Sequence, residues 1–384
     1  MHHVLVTGQS NAIGFAAHPS LSNDDSAKNL MFDTGVITVT DCDDDGCKTR
    51  EEATKLVPLH EGDTYAPLVS QPSETIATSF ADSAGEDILV SNHGRSGNVY
   101  ECLRKGGCTF FDGKGYVKSF DDAMKAVEDG KRLANDEGRP YVVSAVHVIH
   151  GESDHYDNTA NTYGDDLIEW QRDYENEARA ISGQDDPIPM FVSQMANWND
   201  RERSEIPIQQ LSAHTRAPGK VILIGATYML PFAKDCIHYT NEGERLLGRY
   251  FAKAYRAVVV DGGTWEPVRP KSITLQGASV VVQFNVPKPP LVIDTTKVTD
   301  PGANGFDFQD GSVDPPVIND VALEGEDTIR ITLSAAPTGA QPRLHYALRA
   351  TPGTCPGPQT GPRGNVRDSD DLANWAVSFD LPVK

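Results

Sequence analysis

No stretch of this chain stays apolar for the roughly 18 residues that a membrane-spanning helix needs, so neither a bilayer-crossing segment nor a membrane partner is expected. Basic residues are scarce: 34 Lys and Arg stand against 55 Asp and Glu, for a formal charge of -21. That surplus repels phosphate backbones, which removes nucleic acid from the expected partners. No export signal is expected within the sequence, because Met1-His2-His3-Val4-Leu5-Val6 already reads as a buried strand and leaves no charged, apolar and cleavage regions; any such signal is expected to have been removed or never to have existed. Cysteine is sparse, with six in 384 residues. Cys42 with Cys47 and Cys102 with Cys108 lie close together in polar, Gly-containing loops, which suggests two local bridges and an oxidising, extracellular or periplasmic setting. Six free thiols are the alternative, since a chain of this length needs no staple. No pairing of Cys236 with Cys355 is expected.

What is present is a change of texture. Up to residue 262, apolar runs alternate with amphipathic stretches, the pattern of a parallel sheet covered by helices on both faces. Five strands stand out at His3–Thr7, Asp87–Ser91, Val142–Ile149, Pro189–Gln194 and Val221–Gly225. The clearest helices are Ser119–Glu137, Tyr163–Ile181 and Asn241–Val258, the last with Leu246, Leu247, Tyr250, Phe251, Ala254 and Tyr255 at helical spacing. The expected fold is a three-layer α/β/α sandwich with a five-stranded parallel sheet. From residue 263 to 384 helical periodicity stops, prolines multiply and short alternating runs appear at Ser279–Val286, Thr328–Leu333 and Arg343–Leu348, which predicts a β-sandwich accessory domain.

In parallel sheets, ligands bind beyond the carboxyl ends of the strands. After the first strand comes Gly8-Gln9-Ser10-Asn11, a small-residue turn that presents the Ser10 hydroxyl at that edge. A serine needs a base to become a nucleophile. After the fifth strand, Asp235-Cys236-Ile237-His238 supplies an imidazole with a carboxylate three residues before it. Asp235 would bond Nδ1 so that Nε2 faces Ser10. Donors for a developing oxyanion come from tight loops: the Ser10 amide, the Gly97 amide in Asn92-His93-Gly94-Arg95-Ser96-Gly97-Asn98, and a third from His150-Gly151-Glu152-Ser153-Asp154.

These blocks, in this order, resemble those of the SGNH hydrolase superfamily, whose sheet is flavodoxin-like. The Gly8-Gln9-Ser10-Asn11 start and Gly151-Glu152-Ser153-Asp154 resemble the carbohydrate esterases related to sialate O-acetylesterase. The likeness spans about residues 1–260. It implies removal of acetyl esters from a carbohydrate through an acyl-enzyme on Ser10, with Asp235 and His238 completing the triad and no cofactor in catalysis. It also implies a departure: the residue before Gly151 is usually a glutamine oxyanion donor, and here it is His150. Gln9, Asn11 and Glu152 are the expected substrate-binding residues. Trp198, just past the fourth strand, is the expected substrate wall, whereas Trp170 lies within a helical pattern and reads as core.

A separate signal is Asp41-x-Asp43-x-Asp45-Gly46 followed by Glu52, the ligand spacing of a calcium loop. A structural Ca2+ is therefore a candidate. The context differs, because Val36–Thr40 reads as a strand and Lys48 occupies an apolar position of such loops; a solvated acidic loop is the alternative. Two rival functions stay open: a lipase or thioesterase with the same triad, which the polar loops Ser153–Tyr163 and Asp41–Glu52 argue against, and a non-catalytic carbohydrate-binding protein.

Overall fold

A computed structural model describes residues 1–38, 41–43, 46–48, 51–62, 72–85, 87–107 and 118–384, without the side chains of 41–43 and 46–48. The chain first forms β1 (His2–Gly8), β2 (Leu30–Phe32), β3 (Asp41–Asp43), β4 (Gly46–Lys48), β5 (Leu56–Pro58), α1 (Ala77–Ala84), β6 (Ile88–Asn92), α2 (Tyr100–Leu103), α3 (Ser119–Asp136) and β7 (Val142–Ile149). There follow α4 (Glu152–Tyr156), α5 (Tyr163–Ser182), β8 (Met190–Gln194), α6 (Ile206–Arg216), β9 (Val221–Ala226) and α7 (Asn241–Tyr255).

The large sheet is mostly parallel and has seven strands in the order β5-β2-β6-β1-β7-β8-β9. Five of these are the expected strands; β2 and the antiparallel β5 extend one edge. Each of the two is only three residues long, too short to show a period in sequence. Helices cover both faces. Val6 pairs with His147 and Thr7 with Val148, so Thr7 and His147 point to opposite sides. Thr7 meets Ser119 of α3, whereas the His147 ring lies among Phe80 of α1 and Phe251 and Tyr255 of α7. His147 is fully buried with neither nitrogen bonded among the described residues. Burial pushes its pKa down to about 3, so it packs as a neutral ring.

α7 starts where Thr240 Oγ1 accepts the Gly243 N–H at 3.2 Å. Its buried Leu247, Tyr250, Phe251 and Tyr255 contribute about 1.5–3 kcal/mol each on burial. Gly248 lets it approach α1, since a Cβ there would sit 2.1 Å from Ser79 Oγ and 2.7 Å from the Ile76 carbonyl oxygen.

From Trp265 onward the strands are β10 (Arg269–Gln276), β11 (Ser279–Asn285), β12 (Val292–Ile293), β13 (Phe306–Gln309), β14 (Ile318–Leu323), β15 (Thr328–Leu333), β16 (Arg343–Tyr346), β17 (Val366–Arg367) and β18 (Phe379–Pro382). They form antiparallel sheets β10-β11-β15-β14 and β13-β16-β18 and a short β12-β17 pair. Val280, Ile329 and Ile331 of the first and Phe306, Leu344 and Phe379 of the second belong to one apolar cluster.

Two compact units result: one of Met1–Ser193, Ala213–Ile222 and His238–Thr264, the other of Gln194–Ser212, Leu223–Ile237 and Trp265–Lys384. The division is not the single cut between residues 262 and 263 that texture suggests. Ala196, Leu211, Leu223 and Tyr228 join the apolar cluster of the second unit, which draws their segments into it. Cysteine pairing also departs from expectation. Cys236 and Cys355 form a disulfide across 119 positions, and both lie in the second unit. Cys102 is disulfide-bonded as well; Cys108 and the side chains of Cys42 and Cys47 lie outside the described residues.

The first unit buries carboxyl groups. Both oxygens of Glu244 and Oε2 of Glu61 are without a hydrogen-bond partner among the described residues. Burial and then the neighbouring Glu74 raise Glu61 to about 8; burial, Glu61, Glu74 and Glu152 raise Glu244. Arg245 approaches Glu74 at 3.8 Å. The folded state holds protons here that an unfolded chain releases around pH 4.5, so this cluster costs stability as pH rises from there to about 8. Glu244→Gln is expected to leave the melting temperature unchanged at pH 4.5 and raise it at pH 8 by roughly 2–4 °C, the equivalent of about 1 kcal/mol. Equal shifts at both pH values in thermal melts would contradict this.

Candidate active site

β1 ends at Gly8, whose φ of 138° and position allow no side chain: a Cβ would lie 2.0 Å from the Ile149 carbonyl oxygen of β7. The chain then turns, with the Phe15 N–H donating to the Ser10 carbonyl at 3.0 Å. Ser10 is left at the carboxyl edge of the sheet, 4% exposed. His238, just ahead of α7, places Nε2 2.7 Å from Ser10 Oγ. Residues 228 positions apart therefore meet at hydrogen-bonding distance.

Asp235 belongs to the turn before His238. It is exposed, and its Oδ1 accepts the Ile237 N–H at 3.0 Å. Cys236 between them has φ 68°. The turn is secured within the second unit by the Cys236–Cys355 disulfide and by Asn197 Nδ2, which donates to the Ile237 carbonyl at 2.6 Å.

Gly97 has φ 71° and open space around it. Among the described residues, neither its backbone N–H nor that of Ser10 is engaged in a hydrogen bond. Two free amides in loops beyond β1 and β6 are what an oxyanion requires. His150 does not add a third donor. It is 2% exposed, with Nδ1 2.8 Å from Tyr163 Oη and Nε2 2.9 Å from the Asn98 carbonyl oxygen. A carbonyl only accepts, so Nε2 carries the proton and Tyr163 donates to Nδ1. Burial, followed by Asp154 and Glu152, raises the Tyr163 pKa and keeps that phenol protonated. His150 thus props the Gly97–Asn98 loop with both nitrogens committed.

The residues expected to touch substrate are instead turned toward one another. Gln9 Oε1 accepts the Ser153 N–H at 3.0 Å. Asn11 donates through Nδ2 to Glu152 Oε1 at 2.7 Å and accepts the Tyr239 N–H through Oδ1 at 3.1 Å. All three of Gln9, Asn11 and Glu152 are buried. Asn11 thereby links the Ser10 turn to the α4 start and to the residue beside His238. Trp198 is also no wall, being 0% exposed. Trp170 is core, packed against Tyr100 and His150.

Phe15 was passed over in sequence. It is 36% exposed, and its ring lies 4.8 Å from that of His238, tilted by 36°. Its only sequence signal is its place five residues after the nucleophile. Of the calcium candidates, the side chains of Asp41 and Asp43 and all of Asp45 lie outside the described residues. The flanking backbone pairs as a hairpin, Asp43 opposite Gly46, and exposed Glu52 is 3.3 Å from Arg132. Among the described residues no group of three or more His, Cys, Asp or Glu is arranged to hold a metal ion.

Asn11→Ala leaves Glu152 buried without its amide donor, a loss of about 1–3 kcal/mol. Urea titration is expected to show that loss, and kcat is expected to fall although Ser10 and His238 are untouched; wild-type stability and kcat together would refute the bridging role.

No family model and no curated protein matches the sequence. Among solved structures, a carbohydrate acetylesterase from Xanthomonas citri is similar over 99% of this chain and 80% of its own, with TM-score 0.64 and 19% identity. A carbohydrate acetylesterase from Sinorhizobium meliloti (TM-score 0.36, 11% identity) and an aryl esterase from M. smegmatis (0.38, 10%) are each matched over 67% of this chain and 100% and 99% of theirs. The first of these shows that the chain has the fold of a known carbohydrate acetylesterase.

Proposed function

We propose that the chain is a serine esterase that removes acetyl or other short acyl groups from a carbohydrate. The observation that carries this reading is the 2.7 Å approach of His238 Nε2 to Ser10 Oγ, with the backbone amides of Ser10 and Gly97 unengaged among the described residues. Ser10 Oγ attacks the ester carbonyl carbon while its proton passes to Nε2. The carbonyl oxygen becomes an oxyanion held by the Ser10 and Gly97 N–H groups. Collapse breaks the bond to the sugar oxygen, which leaves as an alcohol with the proton from Nε2. Water then attacks the acyl-enzyme by the same route, releasing the carboxylic acid and restoring Ser10. Asp235 is assigned to the imidazole's other nitrogen, where a carboxylate fixes the tautomer and stabilises the imidazolium. No step is routed through a metal or cofactor.

Phe15 takes the part of the apolar wall in this scheme, since its exposed ring flanks the imidazole. The carbohydrate substrate draws support from the fold shared with the Xanthomonas citri enzyme. An extracellular or periplasmic setting draws support from the bonded Cys236, Cys355 and Cys102.

Ser10→Ala is expected to abolish acetate release from an aryl acetate and labelling by a fluorophosphonate, with an unchanged melting curve; turnover within about tenfold of wild type would overturn the assignment. Phe15→Ala is expected to raise KM for aryl acetate several-fold with a smaller change in kcat, as loss of uniform binding does. An unchanged KM would remove Phe15 from the substrate wall.

A further inference from the structure

The second unit contains a cleft of about 380 Å³ that the proposed chemistry does not use. Small-ligand sites begin near 300 Å³, so it is large enough for a sugar ring. Phe306, Phe308, Pro315, Pro316 and Val317 give it an apolar side. A smaller cavity of about 180 Å³ shares Gly305, Asp307 and Arg349 with it.

The charges set this cleft apart. The chain carries 21 more acidic than basic groups, and most of its described arginines lie against a carboxylate. Two arginines lining the cleft do not. Arg349 is exposed and makes no hydrogen bond or ion pair among the described residues; its electrostatic influence falls on Asp307. Arg363 donates only to neutral oxygens, through Nε to the Thr299 carbonyl at 2.8 Å and hydroxyl at 3.2 Å, and through a terminal nitrogen to the Gly361 carbonyl at 2.9 Å; Asp300 acts on it through its charge, without an ion-pair contact. Asp307 is the one carboxylate among the lining residues, and it is engaged by His345 Nδ1 at 3.3 Å.

The backbone supports the same place. Ala303, with φ 46°, and Ala347, with φ 51°, both line the cleft in the left-handed region that alanine disfavours. Such outliers gather where a site is built.

We propose that this cleft binds an acidic saccharide, with a uronate carboxylate held by Arg349 and Arg363 and the pyranose face resting on the Pro315–Val317 side. Planar guanidinium groups match a carboxylate in geometry and charge. A neutral sugar supplies no carboxylate to make the direct ion pair that both guanidinium groups lack. A free inorganic anion leaves the apolar side uncovered. The saccharide half of this assignment rests on the carbohydrate reading of the catalytic site, and narrows it to acetylated polysaccharides that carry uronic acids.

Calorimetric titration of the full chain tests it with three probes: an unacetylated galacturonate trimer, a neutral galactose trimer and sodium sulfate. The uronate trimer is expected to bind at least roughly tenfold more tightly than either of the others, and Arg349→Gln to weaken it about tenfold, the loss of a charge-assisted pair. Val317→Glu, at a lining position 64% exposed, is expected to abolish binding by placing a like charge at the site. Arg363→Gln is a weaker probe because it also releases the Thr299 and Gly361 carbonyls, so the two exposed positions carry the test independently of folding. Equal affinity for the neutral trimer, equal affinity for sulfate, no binding, or wild-type binding by Arg349→Gln would each overturn the proposal. Aryl acetate turnover by the wild-type chain is measured alongside. Uronate binding without turnover would leave the cleft assigned and the esterase reading refuted; turnover without uronate binding would do the reverse.

Discussion

The hydrogen-bonding contact between Ser10 and His238 is the constraint on which the rest of the site depends. A serine hydroxyl is inert at neutral pH without a base, and the imidazole that meets Ser10 comes from 228 positions away. The fold brings them together by ending β1 at the carboxyl edge of the sheet and starting α7 just after His238. Close approaches hold those ends. Gly8 lies against the β7 backbone, and Gly248 brings α7 onto α1. Asn11 bonds Glu152 on one side and the Tyr239 amide on the other.

The polar residues around Ser10 are therefore a brace. Buried polar groups are costly without partners, and Gln9 Oε1, the Asn11 amide, Glu152 Oε1 and both ring nitrogens of His150 find them in and around the loops that follow β1, β6 and β7. Among the described residues around Ser10, two backbone N–H groups, the Ser10 hydroxyl and an exposed phenyl ring are what the brace does not use. Under the proposed chemistry an acyl group needs little more, and recognition of a larger molecule would fall to other surfaces. The arginine-lined cleft of the second unit, proposed to bind an acidic saccharide, would be one such surface. It holds two arginines that make no direct ion pair among the described residues, in a chain whose overall charge is -21.

Much of the first unit was legible because its signals are local. The five long strands repeat apolar runs over five to eight residues, and α3, α5 and α7 carry helical periodicity over 15 to 20. Three-residue edge strands carry no period, and β2 and β5 stayed hidden for that reason. The Ser10 turn and the Asp-x-x-His segment were readable as a candidate site because Ser10 follows the end of β1 by two residues and His238 stands just ahead of α7.

By itself, then, the order of amino acids determined the alternation of strands and helices, the antiparallel texture after residue 263 and the identity of the serine and histidine, since each is written within one short window. Tertiary structure alone decided which side chains were free. It buried Trp198 and left Phe15 exposed, used both nitrogens of His150, joined Cys236 to Cys355 and drew residues 194–212 and 223–237 into the second unit. Burial and hydrogen-bond commitment depend on which distant segments arrive at the same point in space, and no local window of sequence contains that information.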